Sequence, residues 1–200
     1  MKKIKYLLVL LIFIFNFTKS FSIEPDVFVQ STVNRASKIL ADNISKDEKI
    51  EKLKLIAKET VDIKGIGLYT LGSVRKSLNS EQKNTYNNVF EKYFLKSFSS
   101  RLAEYTNPER DVYDKKILNE NYTIVNSLLL AKDDRPEVKI DWRIYTKNPN
   151  NPLIRDLIIE GLSLARTQKE EFSSILNSND GNIDALFEAL KDFSNNFFIK

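Results

Sequence analysis

The sequence contains neither histidine nor cysteine. A protein without these residues cannot form a Ser-His-Asp or Cys-His catalytic group, the usual zinc sites or a disulfide. A lipoprotein anchor is excluded as well, because its lipid is attached to a cysteine. The chemistries that remain are a serine–lysine pair, a pair of carboxylates and an all-oxygen metal site.

Recognisable motifs for these remaining chemistries are also missing. Glycine occurs only five times in 200 residues, and none of the five belongs to a phosphate-binding loop. No acidic cluster has the spacing of a metal-binding loop, and Glu160 and Glu171 are isolated carboxylates. We therefore expect no catalytic residue, no cofactor and no metal. An enzyme that uses a serine–lysine pair remains the enzymatic alternative.

The first 22 residues have the pattern of a secretory signal peptide. Three lysines precede an apolar stretch at residues 6–17, which is followed by the small–x–small triplet Ser20-Phe21-Ser22. This stretch is shorter than the roughly 20 residues that a spanning helix requires. We predict that residues 1–22 are removed and that residues 23–200 form a single exported domain.

Removal of this segment also removes the excess of positive charge. The whole chain has 31 basic and 27 acidic residues. Residues 1–22 hold four lysines and no acid, which leaves 27 basic residues against 27 acidic ones. A nucleic-acid-binding surface needs a clustered basic excess, so we expect no nucleic-acid partner.

Hydrophobic spacing predicts four helices in the first half of the chain. The first begins at Pro25, and the second at the capping box Ser45–Glu48. The third, Asp62–Gly72, is weakened by two glycines, and we expect this segment to move when a ligand leaves. The fourth follows Asn79 and carries a broad stripe of large side chains on one face: Tyr86, Val89, Phe90, Tyr93, Phe94 and Phe98.

From about Val112 the hydrophobic period changes to two, which indicates strands. Tyr122–Ala131 is almost continuously apolar, whereas in Val138–Tyr145 apolar and polar residues alternate. The last predicted strand is Leu153–Ile159. Turns at Asp133–Pro136 and Asn148–Pro152 are short, which favours an antiparallel meander of about four strands.

The end of the chain returns to helical spacing. Gly161 permits a bend after the last strand, and a capping box at Thr167–Glu170 predicts that a helix starts there. Asn177–Gly181 ends this helix, and a final amphipathic helix follows from Ile183. The predicted fold class is α+β, with N-terminal helices on one face of a twisted antiparallel sheet and two C-terminal helices.

Several short motifs occur in a fixed order between Val61 and Ser194. Asp62 lies nine residues before Leu71-Gly72, and Ser80–Gln82 starts the aromatic helix. A strand with the sequence Val138–Arg143 follows, and then Asp156–Leu164 with Phe172 beyond it. In this order and content the chain resembles the MlaC family of periplasmic phospholipid-binding proteins, also called toluene-tolerance auxiliary proteins.

The sequence departs from the family pattern at three places. Val74-Arg75 stands where an aromatic pair is usual after Leu-Gly. Pro152 and Arg155 lie where aromatic residues usually precede the aspartate of the last strand. Gln168-Lys169 replaces the Tyr-Arg that often precedes Phe172. These departures concern the contacts of the head group and of partner proteins more than the fold.

The resemblance implies a soluble periplasmic carrier that moves glycerophospholipid between the outer and inner membranes. The implied partners are an MlaA–porin complex and an MlaD-like MCE subunit of an inner-membrane ABC transporter, through which the carrier contacts membranes transiently. Physical chemistry agrees with such a role. Two acyl chains carry about 30 methylenes, whose exposure to water costs on the order of 24 kcal/mol.

We predict that the ligand lies in a cavity between the sheet and the helices. The aromatic face of the fourth helix forms one wall and the apolar face of the strands forms the other. The alternative to a phospholipid carrier is a binding module for another apolar ligand, such as a hopanoid or a hydrophobic solute. The candidate lining residues are Ile66, Leu71, Phe90, Tyr93, Phe94, Phe98, Val125, Leu129, Val138, Ile140, Trp142, Ile144, Leu157, Ile159 and Phe172.

Overall fold

The computed structural model describes residues 22–104, 110–130 and 136–196. These ranges form six α-helices, a short 3-10 helix at Val74–Lys76 and five β-strands. The helices are α1 (Pro25–Ala41), α2 (Lys46–Thr60), α3 (Ile63–Thr70), α4 (Ser80–Leu102), α5 (Leu164–Asn177) and α6 (Ile183–Asn196). The strands are β1 (Arg110–Asn119), β2 (Tyr122–Leu129), β3 (Val138–Tyr145), β4 (Leu153–Ile159) and β5 (Leu162–Ser163).

Local capping fixes where the N-terminal helices begin. Pro25 occupies the first turn of α1, where its missing N–H would have had no partner. Reciprocal capping boxes start α2 at Ser45 with Glu48 and α4 at Asn79 with Gln82. Each box satisfies two backbone N–H groups that a helix start leaves unpaired, so the predicted starts are confirmed.

The five strands form one antiparallel sheet in the order β1-β2-β3-β4-β5. Alternate residues of β3 point to the two faces, and Ile140, Trp142 and Ile144 are buried on one of them. We call this the inner face of the sheet. The predicted antiparallel meander and the alternation in β3 are confirmed.

The helices cover the inner face and form the second layer of the α+β fold. Helix α1 packs against β1 and β2, whereas α3 and α5 pack against β4. Helix α4 lies centrally and packs against α2, α3 and α6. In the described ranges no helix combines the length and the apolar content that a membrane crossing requires.

An ion pair joins the start of α1 to the edge of the sheet. The Lys115 ammonium lies 2.7 Å from a carboxylate oxygen of both Glu24 and Asp26. Its hydrogen bond lowers the pKa of Asp26, and the two carboxylates raise the pKa of Lys115. All three side chains are open to solvent, so this contact orients α1 more than it stabilises the fold.

Three sequence-based boundaries need correction. The sheet has five described strands rather than about four, because a two-residue strand, β5, follows Ile159. Helix α5 begins at Leu164 and not at Thr167, with Ser163 as its N-cap. Strand β2 ends at Leu129. The predicted signal peptide, up to residue 21, and most of the predicted turn at Asp133–Pro136 lie outside the described residues.

Helix α3 is better anchored than its two glycines suggest. Asp62 caps it by accepting a hydrogen bond from the Gly65 N–H, and Val61 forms a β-bridge with Ile154. A methyl group on Gly67 would lie 2.8 Å from the Phe90 ring, so this glycine permits a close helix–helix approach. The glycines serve packing, which argues against residues 62–72 as the part that moves.

Candidate functional site

All fifteen candidate lining residues belong to one continuous hydrophobic cluster. Eight of them are buried, namely Ile66, Leu71, Phe90, Val125, Ile140, Trp142, Ile144 and Phe172. The other seven are half-buried against this core, namely Tyr93, Phe94, Phe98, Leu129, Val138, Leu157 and Ile159. The fold therefore brings the candidates together, but their burial differs with position.

Burial decreases along the inner face of the sheet from one end to the other. At one end Ile144 pairs with Ile154, and both are buried. Two rows further along, Ile140 is still buried while its β4 neighbour Ile159 is half-buried. The last row, Leu129 opposite Val138, is half-buried in both strands. Among the described residues, the sheet wall thus passes from a closed end, where Ile144 is buried, to a more open end, where Val138 is half-buried.

The aromatic face of α4 follows the same gradient. Tyr86 and Phe90, nearer the start of the helix, are fully buried. Phe94 and Phe98 are half-buried, and their rings stack with centroids 5.5 Å apart. The exposure of the aromatic side chains on this face therefore increases toward the C-terminal end of α4.

Contacts between α4 and α5 place both gradients at the same end of the fold. The Tyr93 hydroxyl donates a hydrogen bond of 2.7 Å to the Gln168 Oε1, and the Phe90 ring meets Phe172. Phe90 contacts Phe172, and Tyr93, further along α4, contacts Gln168, which is earlier in α5. The two helices are therefore antiparallel. The C-terminal end of α4 is thus level with the start of α5, which directly follows β5. We call this shared end of sheet and helices the open end.

Three exposed leucines lie at the open end, and sequence reasoning missed all of them. Leu162 pairs with Ile159 and is 59% exposed, Leu130 directly follows the half-buried Leu129 and is 40% exposed, and Leu164 is 36% exposed. The sequence gives a weak signal for Leu162 and Leu164, which flank Ser163 just after a turn. The late start predicted for α5 left both of them without a structural assignment.

Tyr93 does not face the sheet as predicted. Its ring lies 5.9 Å from the Phe172 ring of α5 and 4.9 Å from the Phe193 ring of α6. Successive helix residues point about 100° apart, so Phe94 points in a different direction from Tyr93, and its ring lies against Phe90 and Phe98 of the same helix. We infer that Phe94 and Phe98 form the α4 wall opposite the sheet, while Tyr93 holds α4 to α5 and α6.

Several polar atoms within the apolar interior are paired with one another, whereas the buried hydroxyls of Ser99 and Ser100 on α4 have no partner among the described residues. The Trp142 Nε1–H donates to the Ser127 Oγ at 2.8 Å, and that hydroxyl donates to the Ile140 carbonyl. The hydroxyls of Thr70 and Tyr86 share a hydrogen bond of 2.8 Å. Burial raises the pKa of Tyr86 and of Tyr93, so both phenols are neutral at physiological pH. The interior thus offers a ligand an uncharged surface.

A cluster around Arg155 ties α3 to the sheet beside the closed end. The guanidinium pairs with Asp62, donates to the Tyr122 hydroxyl at 3.0 Å and lies 4.4 Å from the centre of the Tyr145 ring. Arg155 is the extra residue of a bulge in β4. Sequence reasoning noted Arg155 only as a departure from the family pattern, because the partner is 93 residues away.

The carboxylates near the end of β4 have structural roles. Asp156 is buried and accepts hydrogen bonds from the Ser163 hydroxyl and the Ala165 N–H, which fixes the start of α5. Glu160 accepts from the Lys139 N–H in the turn between β4 and β5. Nowhere in the ranges the structure describes do three acidic side chains gather as a metal site would require.

A separate groove of about 810 Å³ runs along the outer side of α5. Its walls are polar, formed by Tyr69, Arg166, Lys169, Glu170, Ser173, Ser174, Asn177 and Ser178. Acyl chains gain nothing from charged and hydroxyl-bearing walls, so this groove is distinct from the apolar interior.

Comparison with known proteins agrees with this architecture. A phospholipid-binding protein from Ralstonia solanacearum, in complex with a phospholipid, has a similar fold, with a TM-score of 0.72 and 18% sequence identity. The similarity covers 86% of this chain and 98% of that one, and at this identity it concerns the fold alone. No curated protein matches the chain significantly. The family model described as MlaC protein matches residues 30–192, and the chain therefore belongs to the MlaC family.

Proposed function

We propose that this protein is a soluble periplasmic carrier that shuttles glycerophospholipid between the outer and inner membranes in an Mla-type system. The observation that carries the proposal is the apolar interior, whose described walls are buried at Ile144 and half-buried at Val138. A lipid can place its acyl chains in such an interior and leave its head group at the open end. Family membership and the phospholipid-bound neighbour support this choice of ligand.

The uncharged interior favours a carrier over an enzyme. Several polar groups there form hydrogen bonds with one another, as in the pairs Trp142–Ser127 and Thr70–Tyr86. A buried polar group that is already paired loses little when an acyl chain covers it, whereas an unpaired one would be costly. The acyl chains are thus shielded from water without any reacting group beside them.

The proposed route runs through protein partners at both membranes. The carrier would exchange lipid with an MlaA–porin complex at the outer membrane and with an MlaD-like MCE subunit of an inner-membrane ABC transporter. Residues 1–22 would act as the cleaved signal peptide and residues 23–200 as one lipid-binding domain. The balanced charge of residues 23–200 suits a protein that diffuses freely between two membranes.

Native mass spectrometry of the protein purified without detergent tests the proposal. We expect one glycerophospholipid per chain, identified after extraction. A hopanoid or another apolar solute in its place would establish the alternative ligand class. Release of lysophospholipid from added lipid would indicate an enzyme, and a chain with no bound lipid would refute the carrier.

A further inference from the structure

The open end carries an exposed apolar rim in addition to the residues that line the interior. The rim consists of Leu130, Leu162 and Leu164, and each is more exposed than the lining residue next to it. Leu130 directly follows β2 and Leu162 lies on β5, and these two strands are three strand spacings or roughly 14 Å apart. The leucines therefore lie at one end of the sheet, next in sequence or in register to the half-buried lining residues Leu129 and Ile159.

We infer that this rim enters the leaflet of a lipid bilayer that faces the protein, so that the protein exchanges lipid by direct contact with a membrane surface. This inference rests on the proposed carrier function and adds direct contact to the expected contact through partners. A leucine rim that touches the acyl region would give a lipid a continuous apolar path. The acyl chains would then pass from bilayer to interior without crossing water.

The chemistry of the rim fits a bilayer better than a protein partner. Aliphatic side chains bind without directional contacts, as a fluid acyl region requires, whereas protein interfaces are typically anchored by aromatic residues and arginine. The hairpin turn at Glu160-Gly161 places Leu162 at the very edge of the sheet. A short hairpin with an aliphatic side chain beside its tip can insert without unfolding the domain.

Charge around the rim also matches a membrane surface. Among the described residues at this end, exposed cations include Arg101, Lys139 and Arg166, and exposed carboxylates include Glu104, Glu137 and Glu160. This belt of six described side chains has no net charge. It therefore suits zwitterionic head groups, which present phosphate and ammonium together, and it predicts binding that depends little on salt.

The experiment measures transfer of pyrene-labelled phosphatidylcholine from the loaded protein to acceptor vesicles of unlabelled phosphatidylcholine. Transfer by contact predicts a rate that rises in proportion to vesicle concentration and changes little between low and high salt. Replacing the rim, with Leu130→Ser, Leu162→Ser and Leu164→Ser combined, should slow transfer by at least ~10-fold, because three apolar side chains no longer enter the bilayer.

The control is Leu55→Ser on α2, where the leucine is 61% exposed but lies in the middle of a helix. This variant should transfer lipid at the unchanged rate. A rate independent of vesicle concentration, an unchanged rate in the triple variant or an equal loss in Leu55→Ser would each overturn the inference.

Lipid content separates this inference from the proposed function. Mass spectrometry should find the same bound phospholipid in the triple variant as in the unchanged protein. A triple variant that has lost its lipid would identify the leucines as lining and overturn the membrane contact. An unchanged protein that carries no phospholipid would refute the carrier itself, whatever the rim does.

Discussion

Tyr86 connects three helices through one side chain. Its hydroxyl is hydrogen-bonded to Thr70 of α3. Its ring stacks on Phe90 of the same helix and approaches Phe187 of α6, with centroids 5.5 and 6.4 Å away. The residue is fully buried, so any charge on its phenol must form inside the apolar interior.

Alkaline pH should therefore destabilise the protein through its buried tyrosines. Burial raises the pKa of Tyr86 and Tyr93 above the ordinary value of 10.0. The folded state holds these protons more tightly than the unfolded state. The stabilisation from the two neutral phenols is therefore complete below pH 10, and it is lost from the free energy of unfolding as the pH rises further. Urea unfolding at pH 7 and pH 11 should show this loss.

The variant Tyr86→Phe should lower stability by about 1 kcal/mol at pH 7, because the Thr70 hydroxyl loses a partner. It should also reduce the difference in stability between pH 7 and pH 11. An equal pH dependence in the variant would show that other groups cause the alkaline loss.

Ile140 tests the sheet wall at the level of a single side chain. The variant Ile140→Asp places a carboxylate in the apolar interior, and we expect it to abolish retention of lipid, measured as phospholipid per chain after purification. Ile159→Asp makes the same test at a half-buried position, where the fold tolerates the change more easily.

The matched control is Ile117→Asp on β1, where the isoleucine is 74% exposed. Circular dichroism establishes that each variant is folded. A folded Ile159→Asp protein that still carries one lipid per chain would contradict the predicted wall, and so would an equal loss of lipid in the control.

At the scale of elements, the sequence predicted best where local chemistry alone decides. The capping boxes at Ser45 and Asn79 act within four residues, and the alternation in β3 follows from one buried face. The start of α5 was misplaced because it depends on Asp156, which binds Ser163 and Ala165 from the preceding strand. The gradient of burial toward the open end was not predictable, because it depends on how α4 and α5 are aligned.

Helix α3 provides a test of glycine as a packing residue. Alanine has a higher intrinsic helix propensity than glycine, which stabilises a helix interior by about 1 kcal/mol. In Gly67→Ala, however, the new methyl would meet the Phe90 ring at 2.8 Å. Because overpacking costs about 1–3 kcal/mol, we expect net destabilisation in urea unfolding.

Removal of ring volume should reverse this effect. The double variant Gly67→Ala with Phe90→Leu should lose less stability than the two single changes added together. A stabilised Gly67→Ala protein would instead show that α3 can move away from α4, and would restore the earlier expectation that this segment is mobile.

The whole molecule should depend on its ligand for stability. An empty apolar cavity of ~500 Å³ would cost roughly 12 kcal/mol at ~24 cal/mol per Å³. This cost is comparable to the total stability of a domain, about 5–15 kcal/mol. We expect stripped protein to close partly and to melt lower, by on the order of 10 °C.

Hydrogen exchange on loaded and stripped samples should locate this closure. Protection should change at the open end, in residues 94–102 and 157–164, and remain constant in residues 62–72, where Asp62 and Thr70 anchor α3. Equal melting temperatures and equal protection throughout would contradict a lipid-filled interior.

The described walls close at Ile144 and open toward Val138, and this asymmetry has a consequence for the proposed transfer of lipid between membranes. A cavity with one opening is filled and emptied through that opening, so the part of the lipid that enters last is the first to leave. If the protein carries lipid as proposed, it would not bridge two membranes as a conduit. It would detach from one membrane, reorient and present the same face to the other. Flux would then scale with the number of copies in transit, and donor and acceptor would compete for one face and never hold it together.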